Sequence, residues 1–119
     1  MPSAYSHSTQ VEHNNNLLDE AVFNIKDTDY SDWFITISFY VVIHLIEESL
    51  ADKYNQHPEN HKQRNTLIKN KDFFKTIRGK YYTLYQASRK SRYKGFKFTK
   101  DYMEHASDII DEIDEHIHN

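Results

Sequence analysis

Three histidines and one arginine have the side-chain types and spacing that acid–base chemistry on a phosphate requires. His61 and Arg64 are three positions apart, so they share one face of a helix. His57 precedes His61 by four positions, across a turn that contains Pro58. During RNA cleavage an imidazole can move a proton while a neighbouring guanidinium stabilises the charge that develops on the phosphate oxygens. The candidate catalytic residues are therefore His44, His57, His61 and Arg64.

His44 lies within the longest apolar run of the chain, which extends from Trp33 to Ile46. Tyr40 precedes it by one helical turn and Glu48 follows it by one turn, so these three side chains share a helix face. A histidine in such a setting is either a hydrogen-bonded core residue or a functional group. Both interpretations stay open for His44 at the sequence level.

The spacing of the histidines gives little support for a bound metal. His57 and His61 could share an ion, but no carboxylate or third imidazole stands at a supporting spacing. His116 and His118 are two positions apart and would point to different sides of a helix. Two isolated glycines cannot build a Gly-rich phosphate loop. We therefore expect no metal site and no cofactor.

The positive charge of the chain is concentrated in residues 61–100, which hold 13 Lys and Arg residues against a single acidic residue. Tyr81, Tyr82 and Tyr85 are interleaved with these cations. Lysine and arginine neutralise phosphates, and aromatic faces stack on bases, so the block suits RNA or a nucleotide. The alternative is a solvated basic face that the acidic end of the chain complements. The candidate phosphate-binding residues are Arg64, Arg78, Arg89, Arg92, Tyr93, Lys94 and Lys97.

A chain of 119 residues has room for one domain, and we expect residues 1–8 to form a flexible tail. Only two Gly and two Pro favour a few long helices over a turn-rich β architecture. Apolar periodicity predicts helices over 9–26, 32–54 and 61–70, then a long helix and a final helix. We expect an all-α, up-and-down bundle of four long helices plus a short extra helix. The expected capping residues are Ser31 or Asp32, Asn60, Asp72 and Thr99.

The composition excludes several classes of protein. The absence of cysteine excludes a disulfide framework and a thiolate metal site. The apolar run from Trp33 to Ile46 is shorter than the roughly 18 residues that span a bilayer. No N-terminal segment has the pattern of a signal peptide. We expect a cytoplasmic protein that makes no contact with a membrane.

A series of short motifs gives the chain a resemblance to a known family. In order and spacing the motifs resemble those of small prokaryotic members of the HEPN superfamily, and the match spans residues 18–93. The residues that carry the resemblance are Tyr30, Asp32, Trp33, Phe39, Tyr40, His44, Glu47, His57, Pro58, His61, Arg64, Asn65, Tyr82, Leu84, Tyr85, Ser88, Arg89, Arg92 and Tyr93.

The resemblance implies a four- or five-helix bundle, frequently a homodimer, from a group common in toxin–antitoxin and defence systems. Many of these proteins are metal-independent ribonucleases whose usual signature is an arginine followed, after four to six intervening residues, by a histidine. Arg64-Asn65 resembles the start of that signature, but Lys69, Asn70 and Lys71 occupy the positions of the histidine. Another histidine would have to supply the base.

We therefore expect a HEPN-like protein that binds RNA or a nucleotide and is either a metal-independent ribonuclease or a degenerate relative of one. The expected partners are RNA or a nucleotide, a second copy of the chain, and an antitoxin or another acidic protein. The alternative is a non-catalytic helical module that serves in protein interaction or dimerisation.

Overall fold

The computed structural model describes residues 3–20, 25, 28–94 and 96–119, except for the side chains of Tyr93 and Lys94. A short 3₁₀ helix, Asp72–Phe74, joins the third and fourth α-helices, and no β-strand occurs in these described ranges. The prediction of an all-helical bundle is confirmed. The five α-helices are α1 (Ala4–Leu18), α2 (Ser31–Tyr54), α3 (His61–Asn70), α4 (Arg78–Lys94) and α5 (Lys100–His118).

Helix α2 is the centre of the bundle and packs against α1, α4 and α5. Its side chains are buried almost all round from Phe34 to Ile46, which explains the absence of an apolar stripe in its sequence. The helix has the length and hydropathy of a membrane span, but 72% of its most apolar window is buried inside the bundle. Burial of this kind is typical of the core helix of a soluble protein.

Helices α4 and α5 cover α2 with apolar side chains. The Phe39 and Tyr81 rings lie 5.8 Å apart, and the hydroxyls of Thr36 and Ser91 lie 2.8 Å apart. Because Ser91 follows Tyr81 while Thr36 precedes Phe39, α4 runs antiparallel to α2. Helix α5 has an inward stripe that is buried at Ala106, Ile109, Ile110, Ile113 and Ile117 and half-buried at Tyr102.

The bounds of α1 differ from the prediction. Its first residue is Ala4, because Ser3 caps the helix by accepting from the Ser6 backbone N–H at 3.1 Å. Residues 4–8 are thus helical and do not form the expected tail. The helix ends at Leu18, well before the predicted residue 26, and residues 21–24, 26 and 27 lie outside the described part of the chain.

The capping predictions were right where a single local hydrogen bond decides the boundary. Asn60 accepts from the Gln63 N–H and begins α3, and Thr99 accepts from the Tyr102 N–H and begins α5. The prediction for Ser31 or Asp32 was wrong, since no side chain caps α2 and the Ser31 hydroxyl accepts from the Phe98 N–H instead.

Asp72 begins the 3₁₀ helix and not the predicted long helix, because α4 starts six residues later at Arg78. The 3₁₀ helix turns the chain so that Phe74 enters the core. The sequence indicates a basic loop over residues 93–98, and Gly95 within it lies outside the described residues.

Candidate functional site

Helices α1, α2 and α3 bring five polar side chains together, which we call the histidine cluster: His7, His44, Glu47, His61 and Arg64. Three of them were candidate catalytic residues on sequence grounds. His7 and Glu47 were not, although Glu47 belongs to the motifs that resemble the HEPN family. The contacts within the cluster therefore decide which chemistry these side chains can perform.

Arg64 is buried, and its guanidinium is committed to partners within the protein. Its Nε and Nη2 both donate to Glu47 Oε1, at 3.2 and 2.9 Å, and its Nη1 donates to His61 Nδ1 at 2.6 Å. Only 7% of the residue is exposed. Arg64 is thus poorly placed to contact a phosphate, and the structure gives it the role of joining α3 to α2.

His61 is held in one tautomer by the same arginine. Because a guanidinium can only donate, the Arg64 contact makes His61 Nδ1 an acceptor and places the proton of the neutral ring on Nε2. Burial and the nearby positive charges of Arg64 and Arg92 lower the pKa of His61. The neutral ring therefore presents an N–H donor, whereas a general base must present a free nitrogen.

The remaining imidazoles of the cluster contact each other. His7 Nδ1 lies 2.7 Å from His44 Nδ1, and one of the two nitrogens must carry a proton that the other accepts. Burial is the largest cause that lowers the pKa of both histidines, and for His44 the neighbouring His7 lowers it further. His44 is thus neither sealed in the apolar core nor free, since it is half-buried beneath α1.

The sequence prediction missed His7 because it placed residues 1–8 in a tail. The signal that could have found it is Ser3, a good capping residue that extends the helix over His7. His57, the fourth candidate catalytic residue, lines a cavity of about 480 Å³ together with Pro58, Gln63 and Leu67.

A second feature lies between α3 and α4, where an open groove of about 370 Å³ combines cations with tyrosines. Lys62 and Lys69 on α3 are exposed, and the guanidinium carbon of Arg89 lies 5.9 Å from the centre of the Tyr85 ring. We call this feature the α3–α4 groove. Its lining residues are Lys62, Asn65, Thr66, Lys69, Tyr82 and Tyr85.

The predicted phosphate-binding residues differ in their exposure and contacts in the structure. Arg78 donates from Nε and Nη2 to the Ile68 carbonyl, at 3.2 and 3.1 Å, and so satisfies a carbonyl at the end of α3. This contact gives Arg78 a structural role, and phosphate binding by this residue stays a prediction. Arg89 and Lys97 are exposed, as a phosphate ligand requires, while Arg92 is half-buried and donates from Nε to the Ser88 carbonyl.

The basic surface continues at the junction of α4 and α5. Lys90 and Lys97 line a cavity of about 470 Å³ with Phe96, Phe98 and Tyr102, and the Lys90 ammonium lies 5.8 Å from the Phe96 ring centre. The side chains of Tyr93 and Lys94, also predicted to bind phosphate, lie outside the described part of the chain.

Helix α2 also carries exposed aromatic side chains, although most of its other apolar residues are buried. Trp33 is 55% exposed and Tyr40 is 40% exposed, and their separation of seven residues places them on the same helix face. Exposed aromatics that share one face are typical of a protein-binding surface.

The histidine cluster and the α3–α4 groove adjoin each other, since the His61 ring lies 5.6 Å from the ring of Tyr85 in the groove. Arg64 and Ile68 point inward, whereas Lys62 and Lys69 face solvent.

No protein-family model, curated protein or solved structure matches this chain.

Proposed function

We propose that this protein is a HEPN-like, up-and-down bundle of four long helices and one short helix that binds single-stranded RNA or nucleotides without cleaving them. The observation that carries the proposal is the α3–α4 groove, where exposed lysines and half-buried tyrosines line one open surface. A cytoplasmic toxin–antitoxin or defence system is the setting that the family resemblance suggests for such a protein.

The groove offers both kinds of contact that a single strand needs. Lys62, Lys69 and Arg89 are exposed cations that can neutralise successive phosphates. Tyr82 and Tyr85 line the same groove, and stacking on an aromatic ring contributes about 1–3 kcal/mol per base. A groove that recognises phosphates and ring faces favours single strands over paired RNA, whose bases are stacked inside the helix.

The contacts of the histidine cluster support the proposal that the protein does not cleave RNA. Arg64, the start of the resembled signature, is paired with Glu47, and His61 presents an N–H donor. Neither side chain is free to take a proton from a ribose hydroxyl while these contacts persist. Binding without cleavage is therefore the function that this geometry supports best.

The test is fluorescence anisotropy of a labelled single-stranded RNA at several salt concentrations. We expect the double variant Lys62→Gln, Lys69→Gln to bind about tenfold more weakly than the wild-type chain. The slope of log K against log salt should also fall by roughly 0.7 for each lost phosphate contact.

The matched control removes the same charge outside the groove, in the double variant Lys53→Gln, Lys75→Gln. Its affinity should stay close to that of the wild type. Equal losses for both double variants, or no RNA binding by the wild-type chain at low salt, would contradict the proposal. Incubation of the same RNA with the wild-type chain in EDTA should leave it intact.

A second candidate function is a homodimerisation or protein-interaction module, and the exposed Trp33 and Tyr40 on α2 favour it. The two functions use different surfaces, because neither aromatic residue lines the α3–α4 groove. An acidic protein such as an antitoxin would compete with RNA for the groove itself.

A further inference from the structure

Three metal-ligating side chains from two helices meet in the histidine cluster. His7 on α1 and His44 and Glu47 on α2 each offer one ligand atom, and these atoms lie within 4.8 Å of one another. We propose that these three residues bind one divalent transition-metal ion, and that Zn²⁺ is the ion they fit best. The proposal does not depend on RNA binding, because none of the three residues lines the α3–α4 groove.

The distances are close to those of a metal site. The two Nδ1 atoms are 2.7 Å apart, and His7 Nδ1 is 3.7 Å from Glu47 Oε2. Ligands bound tetrahedrally to zinc at about 2.0–2.1 Å stand about 3.3 Å from each other. Small side-chain rotations that separate the imidazoles and move the carboxylate inward would reach this geometry. One coordination position would remain for water.

A bound ion needs a free lone pair from each imidazole. Without an ion, one Nδ1 carries the proton of the 2.7 Å hydrogen bond. When an ion binds, that ring must move its proton to Nε2 so that both Nδ1 lone pairs face the metal.

Arg64 orients the third ligand. It holds Glu47 Oε1 with two hydrogen bonds, which leaves Oε2 on the side of His7. Outer partners of this kind commonly fix the ligands of metal sites in proteins. Arg64 also offsets the charge of the carboxylate, so the ion is held mainly by the imidazole nitrogens. This favours Zn²⁺, Co²⁺, Ni²⁺ or Cu²⁺ over Mg²⁺ and Ca²⁺, which prefer several oxygen ligands.

The packing of α1 shows what an ion would do there. The buried residues of this helix are His7, Asn14 and Leu18, and two of these three are polar. Leu18 is thus the one buried apolar side chain of the helix, while Val11 and Leu17 are partly buried against the core. An ion shared by His7 and the two α2 ligands would fasten α1 to the bundle and stabilise the folded chain.

The experiment uses the full chain without a histidine affinity tag, because a tag would add Zn²⁺ ligands to the eight histidines of the protein. The chain is freed of metal with a chelator and dialysed, and is then titrated with Zn²⁺ by calorimetry and with Co²⁺ by visible absorption. We expect one Zn²⁺ per chain, a Co²⁺ spectrum with the visible bands of tetrahedral coordination, and a Tm that rises by several degrees with Zn²⁺.

The variants His7→Ala and His44→Ala should each weaken Zn²⁺ binding by at least about tenfold and remove the Tm shift. His13→Ala and His118→Ala are the controls, because both histidines are exposed and lie outside the three ligands. They should bind Zn²⁺ as the wild type does.

The proposal is wrong if the wild-type chain neither binds Zn²⁺ nor changes the Co²⁺ spectrum, a test that needs no variant to fold. It is also wrong if the double variant His7→Ala, His44→Ala keeps the wild-type stoichiometry and affinity. Circular dichroism of each variant before titration separates loss of binding from loss of fold. RNA binding through the groove would survive either result.

Discussion

Arg64 of α3 and Glu47 of α2 form a buried ion pair across 17 residues of chain, with Nη2 and Oε1 2.9 Å apart. The same guanidinium donates to His61. One side chain therefore hydrogen-bonds to a carboxylate on α2 and to an imidazole on its own helix, α3. The pair attaches the short helix α3 to the centre of the bundle. It also sets the tautomer of His61 and the orientation of Glu47 in the proposed metal site.

Removal of the arginine should destabilise the protein strongly. The variant Arg64→Ala leaves the Glu47 carboxylate buried without its cation, and the loss of one partner of a buried pair costs about 3 kcal/mol or more. Lys80→Ala is the control, since it breaks the exposed Lys80–Glu112 pair and should cost less than about 1 kcal/mol. Urea unfolding followed by circular dichroism measures both. Similar midpoints for the two variants would show that the Arg64–Glu47 pair contributes little.

The buried Tyr81 should make the fold sensitive to alkali. Burial raises the pKa of Tyr81 to about 12, and its hydroxyl donates to Asn65 Oδ1 at 2.6 Å. An unfolded tyrosine ionises near pH 10, so between pH 10 and 12 the unfolded chain has lost a proton that the folded chain keeps. Stability should therefore fall as the pH rises through this window, by about 2 kcal/mol from this group.

The variant Tyr81→Phe isolates that contribution. At pH 7 it should cost about 1 kcal/mol through the lost hydrogen bond to Asn65. Its stability should then decline less steeply than that of the wild type above pH 10, so the two curves converge and cross before pH 12. Parallel curves from pH 8 to pH 12 would show that Tyr81 does not titrate as described. Thermal unfolding in a series of buffers gives both curves.

Local sequence signals predicted the parts of the fold that depend on one or two neighbouring residues. Asn60 and Thr99 were identified as caps because each bonds a backbone N–H three residues later. The buried stripe of α5 follows from the 3.6-residue period alone. The long apolar run correctly indicated that α2 is a core helix.

The candidate site was only half predictable, because its contacts join distant parts of the chain. His7 and His44 are 37 residues apart, and no spacing rule connects them. The pairing of Arg64 with Glu47 depends on how α3 packs on α2, and it engages a residue that was predicted to bind phosphate. The contact of Arg78 could not be predicted for a similar reason, since its partner is a backbone carbonyl at the end of another helix.

Gly79 offers a position where stability can be increased. It lies in the first turn of α4, and a Cβ added there would meet no heavy atom within 4 Å. The variant Gly79→Ala should therefore stabilise the protein by about 0.5–1 kcal/mol, because alanine loses less backbone entropy on folding. The variant Ala51→Gly, within α2, should lower the stability instead. A lower Tm for Gly79→Ala would indicate a close approach that the structure does not contain.

The exposed aromatic face of α2 should control self-association if the protein is a homodimer. We expect light scattering after gel filtration to give twice the 14.3 kDa mass of the chain, and the double variant Trp33→Glu, Tyr40→Glu to give the monomer mass. Large aromatic side chains at an interface commonly contribute about 2 kcal/mol or more each, and a carboxylate in their place would be desolvated. Phe96→Glu is the control, because Phe96 is 47% exposed but lies between α4 and α5. If the dimer survives the α2 changes but dissociates with Phe96→Glu, its interface lies on the basic surface. Dimerisation there would compete with RNA binding.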